Sequence, residues 1–501
     1  MTQTARSVAV AAVALLSLPF VAAHCYRLSC EDSQTCATAG PDGAPGGDSG
    51  VLPVACRSLP SSDGSVIRDE CGVFVSPEGN DEWSGSRATP LRSIALAMSR
   101  AKARQTRVYV CGGTYNESLV VDGALDGVQL LGGIDCGSGT YDATLKPLVK
   151  PSSGVALRIT GVTASFLVED VAFEAVDASE PGGSSVAGWV SKASGVVLRR
   201  VAFRAGAGAA GADGAAAAAA VSEPADRKGN DSSETSKACT CSLAGVAAGQ
   251  SEGGGGGAMS AGAVNRNGRP GLPAYAPPDP ATATGAGGDG ASATCDAPVG
   301  SGRTGSRGRS GAAGTPVSSS GALSEATWQP TQGAAGAAGT VGQGGGGGAG
   351  STVGRGGGGG CGGCPGGGGG GGQSGGSSFA LVVLDSAVTL EASQLVTSGG
   401  GAGGRGQPGA AGQDGGFGGI QGTGACPGGA GGAGGSGGAG AGGGGGHSVA
   451  LAWAGTAPIV DDGTRASAVV GVAGPGGAGG TTTNGGTPGR AEAVTELPKV
   501  P

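Results

Sequence analysis

Histidine and aromatic residues are scarce in this sequence, which limits the chemistry that it supports. There are two histidines, and aromatic side chains make up 3% of 501 residues. His24 adjoins a predicted cleavage site and His447 follows a glycine run, so no histidine-dependent catalytic triad can be assembled. The shortage of aromatic side chains also favours one modest hydrophobic core over several.

Basic residues are outnumbered by acidic ones, and the formal net charge is -7. Proteins that bind nucleic acid usually present a basic face to the phosphates. We therefore expect no nucleic-acid partner. Extracellular polysaccharide or matrix is the partner class that an exported acidic chain leaves open.

Long apolar runs are confined to the N-terminus. Arg6 precedes an apolar run over residues 8–21, and Ala22 and Ala23 provide a small-residue cleavage site. This pattern predicts a Sec signal peptide over residues 1–23, and hence a secreted or cell-surface protein. Lipidation of Cys25 is the less favoured alternative, because His24 stands where a small residue is usual. No later run approaches the roughly 20 apolar residues that span a bilayer, so no membrane span is expected.

All thirteen cysteines lie beyond residue 23, and in an exported chain they favour disulfides over catalytic thiols. Five of them fall within a predicted Cys-rich lead-in over residues 24–71: Cys25, Cys30, Cys36, Cys56 and Cys71. Cys361 and Cys364 have the spacing of a redox or half-zinc motif, but they sit in polyglycine without a second pair, so a local disulfide is expected. We predict no metal and no cofactor.

The region after residue 71 has strand and helix signals. A short strand at residues 72–75 is followed by a predicted helix over residues 90–104, with Thr89 as N-cap and Pro90 in the first position. Two strands, at residues 108–113 and 128–133, then share the same pattern and the same glycines. Cys111 and Cys136 each close a strand-and-turn unit, which predicts a disulfide between the first two coils.

Longer repeats extend this pattern. Residues 166–175 align with residues 196–205, and residues 381–395 follow the pattern of residues 189–203, with a weaker copy at 448–460. Short strands recurring in this way predict a solenoid in which each coil buries its inward side chains against its neighbours. The predicted coils occupy residues 72–205, 379–397 and 448–475.

Three segments within residues 74–135 carry a family resemblance: FVSPEGNDEWSGSRATPLRSIALAM, RVYVCGGTYNESLVV and GVQLLGGID. Together they resemble a bacterial domain of unknown function found near the start of pectin-lyase-like proteins. The resemblance implies a secreted, all-β protein with a right-handed parallel β-helix and an N-terminal capping helix. It supplies no catalytic residues.

Glycine-rich segments at residues 206–378 and 398–447 follow equivalent strands, so both are expected to leave the solenoid at one corner. In composition they resemble the glycine–alanine (PGRS-like) repeats of mycobacterial surface proteins, and they carry too little apolar surface to offset chain entropy. They are expected to be disordered loops, and excision of residues 206–376 to leave the solenoid stable. Packing as extended polyglycine strands is the alternative. The tail at residues 476–501 is also expected to be disordered.

Six carboxylates are candidates for polysaccharide chemistry: Asp122, Asp126, Asp135, Glu169, Asp170 and Glu174. The repeats align Glu169, Arg199 and Glu391, which favours a structural charge ladder on neighbouring strands. Trp328, in the glycine-rich region, is a weak candidate for sugar binding. We therefore assign no catalytic residue and expect a non-enzymatic scaffold that presents glycine-rich loops for adhesion or matrix contact. A polysaccharide-active lyase or hydrolase is the alternative.

Overall fold

A computed structural model describes residues 52–274, 284–292, 294–295 and 299–500. The predicted signal peptide and Cys25, Cys30 and Cys36 lie outside the described residues. Most regular elements in the described part of the chain are β-strands, and three mainly parallel sheets, A, B and C, contain most of them.

Each sheet is built from strands that recur along the chain. Sheet A contains, in order, β1 (Gly72–Val75), β2 (Arg107–Cys111), β5 (Gln129–Asp135), β9 (Phe166–Glu169), β12 (Val196–Arg199), β20 (Val388–Glu391) and β23 (Ile459–Val460). The short β6 (Thr140–Tyr141) pairs antiparallel with β5. Sheet B contains β3 (Thr114–Tyr115), β7 (Leu148–Val149), β10 (Ala172–Glu174), β13 (Ala202–Arg204) and β21 (Gln394–Val396). Sheet C contains β4 (Leu119–Val121), β8 (Leu157–Thr160), β11 (Ser185–Ser191), β19 (Ser378–Leu384), β22 (Ser448–Ala454) and β24 (Ala491–Glu496).

From β2 onward the chain passes from sheet A to sheet B to sheet C and back to sheet A. The thirty-residue repeat gives the observed register, since Leu198 pairs with Val168 and Phe203 with Phe173. Leu390 continues the first column by pairing with Leu198. The first repeat is displaced by two residues: Val108 pairs with Leu130 and not Val128, and a register shift follows Tyr109. A two-residue displacement keeps every side chain on its predicted face.

The core lies between the three sheets. Inward residues alternate with outward ones, as in β4, where Leu119 and Val121 are buried and Val120 is 60% exposed. Val168, Leu198 and Leu390 are fully buried in one column, and the rings of Phe173 and Phe203 stack with centroids 5.1 Å apart. The inward side chains of each strand therefore depend on the neighbouring strands for their burial.

Helix α1 covers the start of the core but is shorter than predicted, at Ile94–Ala103. Thr89 is not its N-cap: Ser93 takes that role, accepting from the Leu96 N–H. Leu91 instead forms a parallel bridge with Val75, which holds the preceding residues extended. The other helices are α2 (Asp462–Ala466) and short 3-10 turns at Val54–Cys56, Gly64–Val66, Gly123–Leu125 and Ala263–Arg266. No helix within the described ranges has the length and apolar character of a membrane span.

The glycine-rich segments leave sheet B and return to sheet C at three points, after β13, after β21 and after Val469. The prediction of disorder is wrong for the described residues of these glycine-rich segments, because the extended segments hydrogen-bond to one another at every third residue. Gly363, Gly366, Gly369 and Gly372, for example, donate to Gly432, Gly435, Gly438 and Ala441. We call the described residues of 205–377, 397–447 and 470–490 the glycine lattice. The lattice also holds an antiparallel sheet, β14 (Ala220–Glu223), β15 (Lys237–Leu243) and β16 (Val246–Gly253), and a hairpin, β17 (Gly321–Leu323) and β18 (Trp328–Pro330).

Glycine is required inside the lattice because neighbouring backbones approach too closely for a side chain. A Cβ at Gly366 would lie 1.9 Å from the Ala410 carbonyl oxygen, and one at Gly369 would lie 2.0 Å from that of Gln407. The predicted disordered tail is also partly ordered, since β24 pairs with β22.

Five disulfides occur among the described residues. Cys111 is joined to Cys136, the pair predicted from the sequence, and Cys56 is joined to Cys71. The local Cys361–Cys364 bond is wrong. Cys361 pairs with Cys239 and Cys364 with Cys241, so both disulfides join β15 to the segment at residues 361–364. Cys295 pairs with Cys426. Strand β15 places Cys239 and Cys241 beside residues 361–364, and the sequence spacing of the cysteines gives no information about that contact.

Candidate functional site

The three ladder residues lie in one column on the outward face of sheet A. Arg199 pairs in register with Glu169 on β9 and with Glu391 on β20. Its Nε lies 2.6 Å from Glu391 Oε2, and its Nη1 lies 3.4 Å from Glu169 Oε2. The column crosses the long insertion without a shift in register, so the insertion does not alter strand order.

A second pair joins the ladder at the corner between sheets A and B. Asp170, Arg200 and Ala392 occupy equivalent left-handed positions, with φ of 55°, 49° and 47°. Arg200 Nη2 lies 2.5 Å from Glu169 Oε1 and 2.8 Å from Asp170 Oδ2. The hydrogen bond to Asp170 raises the pKa of Arg200, and burial together with the Asp170 hydrogen bond raises the pKa of Tyr141 to about 12.

The lead-in at residues 52–71 covers this face of sheet A. Ser61 Oγ donates to Glu169 Oε1 at 2.5 Å, and Arg107 Nη1 donates to the Ser58 carbonyl at 2.6 Å. Glu169 is 2% exposed and Asp170 is fully buried. The most buried carboxylates of the cluster are therefore paired with arginines and shielded from a polymeric substrate.

The remaining candidate carboxylates have structural contacts of their own. Asp122 accepts from the Ala124 N–H, Asp126 from the Thr163 N–H, and Glu174 pairs with Lys150 at 2.6 Å. Asp135 accepts from Ser138, and these hydrogen bonds lower the pKa of Asp135. The structure does not bring the six candidates together as an open acid–base pair.

Trp328 is a core residue and not a surface binding residue. It is 4% exposed and packs against Phe379 and His447, with ring centroids 5.4 and 5.3 Å away. The β17–β18 hairpin brings it onto the outward face of sheet C, where Trp189 Nε1 donates to the Glu325 carbonyl. Burial lowers the pKa of His447 to about 4, and its Nδ1 accepts from the Arg490 N–H.

Sequence reasoning missed a group of exposed apolar residues at the end of the lattice opposite the sheets. We call the turns at residues 258–267, 351–355 and 420–426 the far end. Ser260 N–H donates to the Ser351 carbonyl, and Ser351 Oγ donates to the Thr423 carbonyl, so the three turns are joined. Their exposed apolar side chains, together with Phe417 three residues before Ile420, are Met259 (54%), Val264 (81%), Val353 (63%), Phe417 (79%) and Ile420 (60%).

Two ion pairs lie near the far end. Arg355 Nε lies 2.8 Å from Glu234 Oε1, and Lys228 Nζ lies 2.8 Å from Asp231 Oδ2. The described part of the chain contains no group of three or more His, Cys, Asp or Glu arranged to hold a metal ion. The apolar side chains are thus the distinctive feature of this end. A tract dominated by glycine gave no signal that its few apolar residues would meet at turns.

Residues 77–160 match a family model described as a protein of unknown function, DUF1565. The match includes α1 and Glu117, whose carboxylate accepts from the Ile94 and Ala95 N–H groups at the start of that helix. It ends before Glu169 and does not reach the lattice. No curated protein and no solved structure matches the chain. Over residues 77–160 the chain is therefore similar to DUF1565, a family associated with right-handed β-helix proteins, which agrees with the parallel sheets.

Proposed function

We propose that this protein is a secreted or cell-surface, non-enzymatic adhesion scaffold. In this proposal the three sheets form a right-handed parallel β-helix of the pectin-lyase-like type. The glycine lattice projects from one corner of the coil and presents the far end to an extracellular partner, either polysaccharide or matrix protein. Five disulfides among the described residues support an oxidising compartment, and a signal peptide at residues 1–23 would deliver the chain there.

The exposed apolar far end is the observation that carries the proposal. Exposed apolar groups gathered at one site commonly mark a surface that binds a partner. Backbone hydrogen bonds join neighbouring segments of the lattice around them, and the Cys295–Cys426 disulfide ties the turn after Ile420 to a neighbouring segment. A rigid support of this kind lowers the entropy lost on binding.

The competing enzymatic function has weaker support. A glycosidase needs one carboxyl group that can give a proton and a second that is free to act as base or nucleophile. Glu169 and Asp170 are instead buried against Arg199, Arg200, Ser61 and Tyr141. Their contacts support a role in holding the coils in register.

Adhesion is tested with the full chain coated on beads and a panel of immobilised pectin, alginate, chitin and collagen. The variant Val264→Ser/Phe417→Ser/Ile420→Ser should lose at least tenfold of the retained beads on the surface that the native chain binds. The matched control is Ile459→Ser/Val469→Ser/Val472→Ser, which removes three exposed apolar side chains away from the far end. Equal retention of both variants would contradict the far-end proposal.

The enzymatic alternative is tested on the same soluble polysaccharides by measuring new reducing ends and unsaturated products. We expect no release above that of a boiled sample. Product release that disappears in Glu169→Gln would replace the scaffold proposal with a catalytic one.

A further inference from the structure

One lattice segment lacks part of its hydrogen-bonding shell. Along residues 356–376, successive backbone N–H groups point in three directions in turn, so every third N–H belongs to the same set. Two of these three sets are bonded to neighbouring segments. One set donates to residues 426–444 and the second, which includes Gly367, Gly370 and Gln373, donates to residues 212–218. In the third set, Gly356 and Gly359 donate to Gly257 and Gly254, and Ser374 donates to the Thr331 carbonyl. Pro365 has no N–H, and the N–H groups of Gly362, Gly368 and Gly371 have no acceptor among the described residues. Gly371 is buried and Gly368 is half-buried. Because buried backbone donors are nearly always bonded, these two free donors, three residues apart, indicate a missing neighbour.

The β15–β16 hairpin explains where the missing neighbour begins. It lies beside residues 356–364 and is fixed there by the Cys239–Cys361 and Cys241–Cys364 disulfides. The hairpin turns at Ala244 and Gly245, and Gln332 forms a bridge with Gln373 further along, so the space beside residues 368–371 is left open. A groove of about 690 Å³ occupies that space, between residues 212–215 on one wall and residues 330–335 on the other, with Gly370 and Gly371 lining its floor.

The polar groups of this groove match a polypeptide backbone. A chain with three residues per turn and a rise of about 3.1 Å places every third residue about 9 Å apart, which is the spacing of the Gly368 and Gly371 N–H groups. Gln332 Nε2 already donates to the Gly371 carbonyl at 3.3 Å, in the place where a neighbouring backbone N–H would bond. Asp213, the charged lining residue, accepts from the Arg405 N–H at 2.7 Å. The residues that line the groove include no Lys, Arg or His to bind an anionic ligand.

We propose that this groove binds a single extended polypeptide strand with glycine at every third position. Glycine is specified because, elsewhere in the lattice, a Cβ facing a neighbouring segment falls within about 2 Å of its carbonyl, as at Gly369 and Gly372. Small or proline residues fit the other two positions, since proline favours the same extended conformation. Glycine-triplet proteins of an extracellular matrix present this chemistry. The proposal does not depend on the far end.

Binding is measured by fluorescence anisotropy with the full disulfide-bonded chain and a labelled acetyl-(Gly-Ala-Pro)4-amide peptide. We expect saturable binding that unlabelled peptide reverses. The matched peptide (Ala-Ala-Pro)4, which adds a Cβ at every third residue, should bind at least tenfold more weakly. Absence of saturable binding of the glycine peptide, or equal binding of the two peptides, would overturn the proposal.

Groove variants place the binding site. Ala335→Arg and, separately, Ala215→Arg introduce long side chains at exposed lining positions, and each should weaken binding at least tenfold. Ala411→Arg makes the same change at an exposed lattice position outside the groove and should leave binding unchanged. Thermal unfolding of each variant selects those that remain folded, and the two-peptide comparison decides the proposal if both groove variants unfold. Binding that resists the groove variants but is lost in Ala411→Arg would place the site elsewhere and overturn it.

Discussion

Adjacent glycines in the lattice differ sharply in the space available for a side chain. A Cβ at Gly400 would lie 2.2 Å from the Gly446 carbonyl oxygen, whereas one at Gly399 would lie 3.5 Å from the Val472 carbonyl oxygen, an ordinary contact. The two positions have the same residue and are adjacent in the chain. Alanine substitutions at these two positions therefore distinguish the effect of close packing from the effect of glycine on the entropy of the unfolded chain.

We expect Gly400→Ala to lower the free energy of unfolding by about 1–3 kcal/mol, because the segments at residues 400 and 446 must move apart. Gly399→Ala should change it by less than about 0.5 kcal/mol or stabilise slightly, since alanine reduces the entropy of the unfolded chain. Chemical denaturation of both variants measures the difference. Equal destabilisation would mean that the lattice is not packed as closely as described.

His447 makes stability depend on pH. Burial lowers its pKa to about 4, with the positive charge of Arg490 acting in the same direction and Glu492 opposing it. The folded state therefore favours neutral imidazole, whereas the unfolded chain takes up the proton near pH 6.5. This contribution is complete above pH 6.5 and falls as the pH drops from 6.5 towards 4, by roughly 3 kcal/mol at most.

Denaturation midpoints between pH 7 and pH 4 test that dependence. His447→Asn supplies an oxygen near the position of Nδ1 and does not titrate, so its stability should be flatter over this range. A native curve and a variant curve of the same slope would show that other groups control acid sensitivity.

At the scale of elements, the charge ladder fixes the register of strands more than it stabilises them. Arg199 and Glu391 are partly exposed, with side-chain exposures of 31% and 40%, so their pair contributes about 1 kcal/mol or less. Glu169 differs because it is buried and also bonded by Arg200 and Ser61. The column is therefore asymmetric, although the sequence repeat makes its three members look equivalent.

Arg199→Glu should destabilise the chain by about 1–3 kcal/mol, since it sets three carboxylates side by side and removes a partner from buried Glu169. Adding Glu391→Arg restores one opposite-charge neighbour on the adjacent strand and should recover part of the loss. Thermal unfolding of the single, double and Glu391→Arg variants gives the coupling free energy. A coupling near zero would mean that positions 199 and 391 are not neighbours.

On the scale of the whole molecule, the three sheets A, B and C and the glycine lattice depend on each other. The insertion between β13 and β19 supplies Leu323 and Trp328 to the cluster that covers Phe379 and Val382 on sheet C. It also supplies hydrogen-bond partners to residues 398–447. The expectation that this insertion is dispensable was drawn from loop entropy alone, which takes no account of such contacts.

Deletion of residues 206–376 should therefore lower the melting temperature and increase binding of an apolar dye, because the face around Phe379 becomes exposed. Trp328→Ala removes one contact of that cluster and should cost about 3–5 kcal/mol by itself. Differential scanning calorimetry compares the two with the native chain. A deletion variant as stable as the native chain would show that the coil folds independently of the lattice.

The sequence by itself determined the features that depend on local pattern. The thirty-residue register of Phe173 with Phe203 and the Cys111–Cys136 pair follow from neighbours in adjacent repeats, which the sequence identifies. The start of α1 was misplaced because Leu91 forms a bridge and Glu117, more than twenty residues away, caps the helix.

Only the tertiary structure decided the state of the glycine segments and the partners of Cys361 and Cys364. A single glycine segment has no side chains to bury and appears disordered from composition. Such segments follow β13, β21 and Val469, so each meets backbone partners that the others supply, as when Gly363 donates to Gly432. The same meeting of distant segments places Trp328 in a core and joins the turns of the far end. Contacts between segments so far apart in the chain produce no periodic pattern in the sequence.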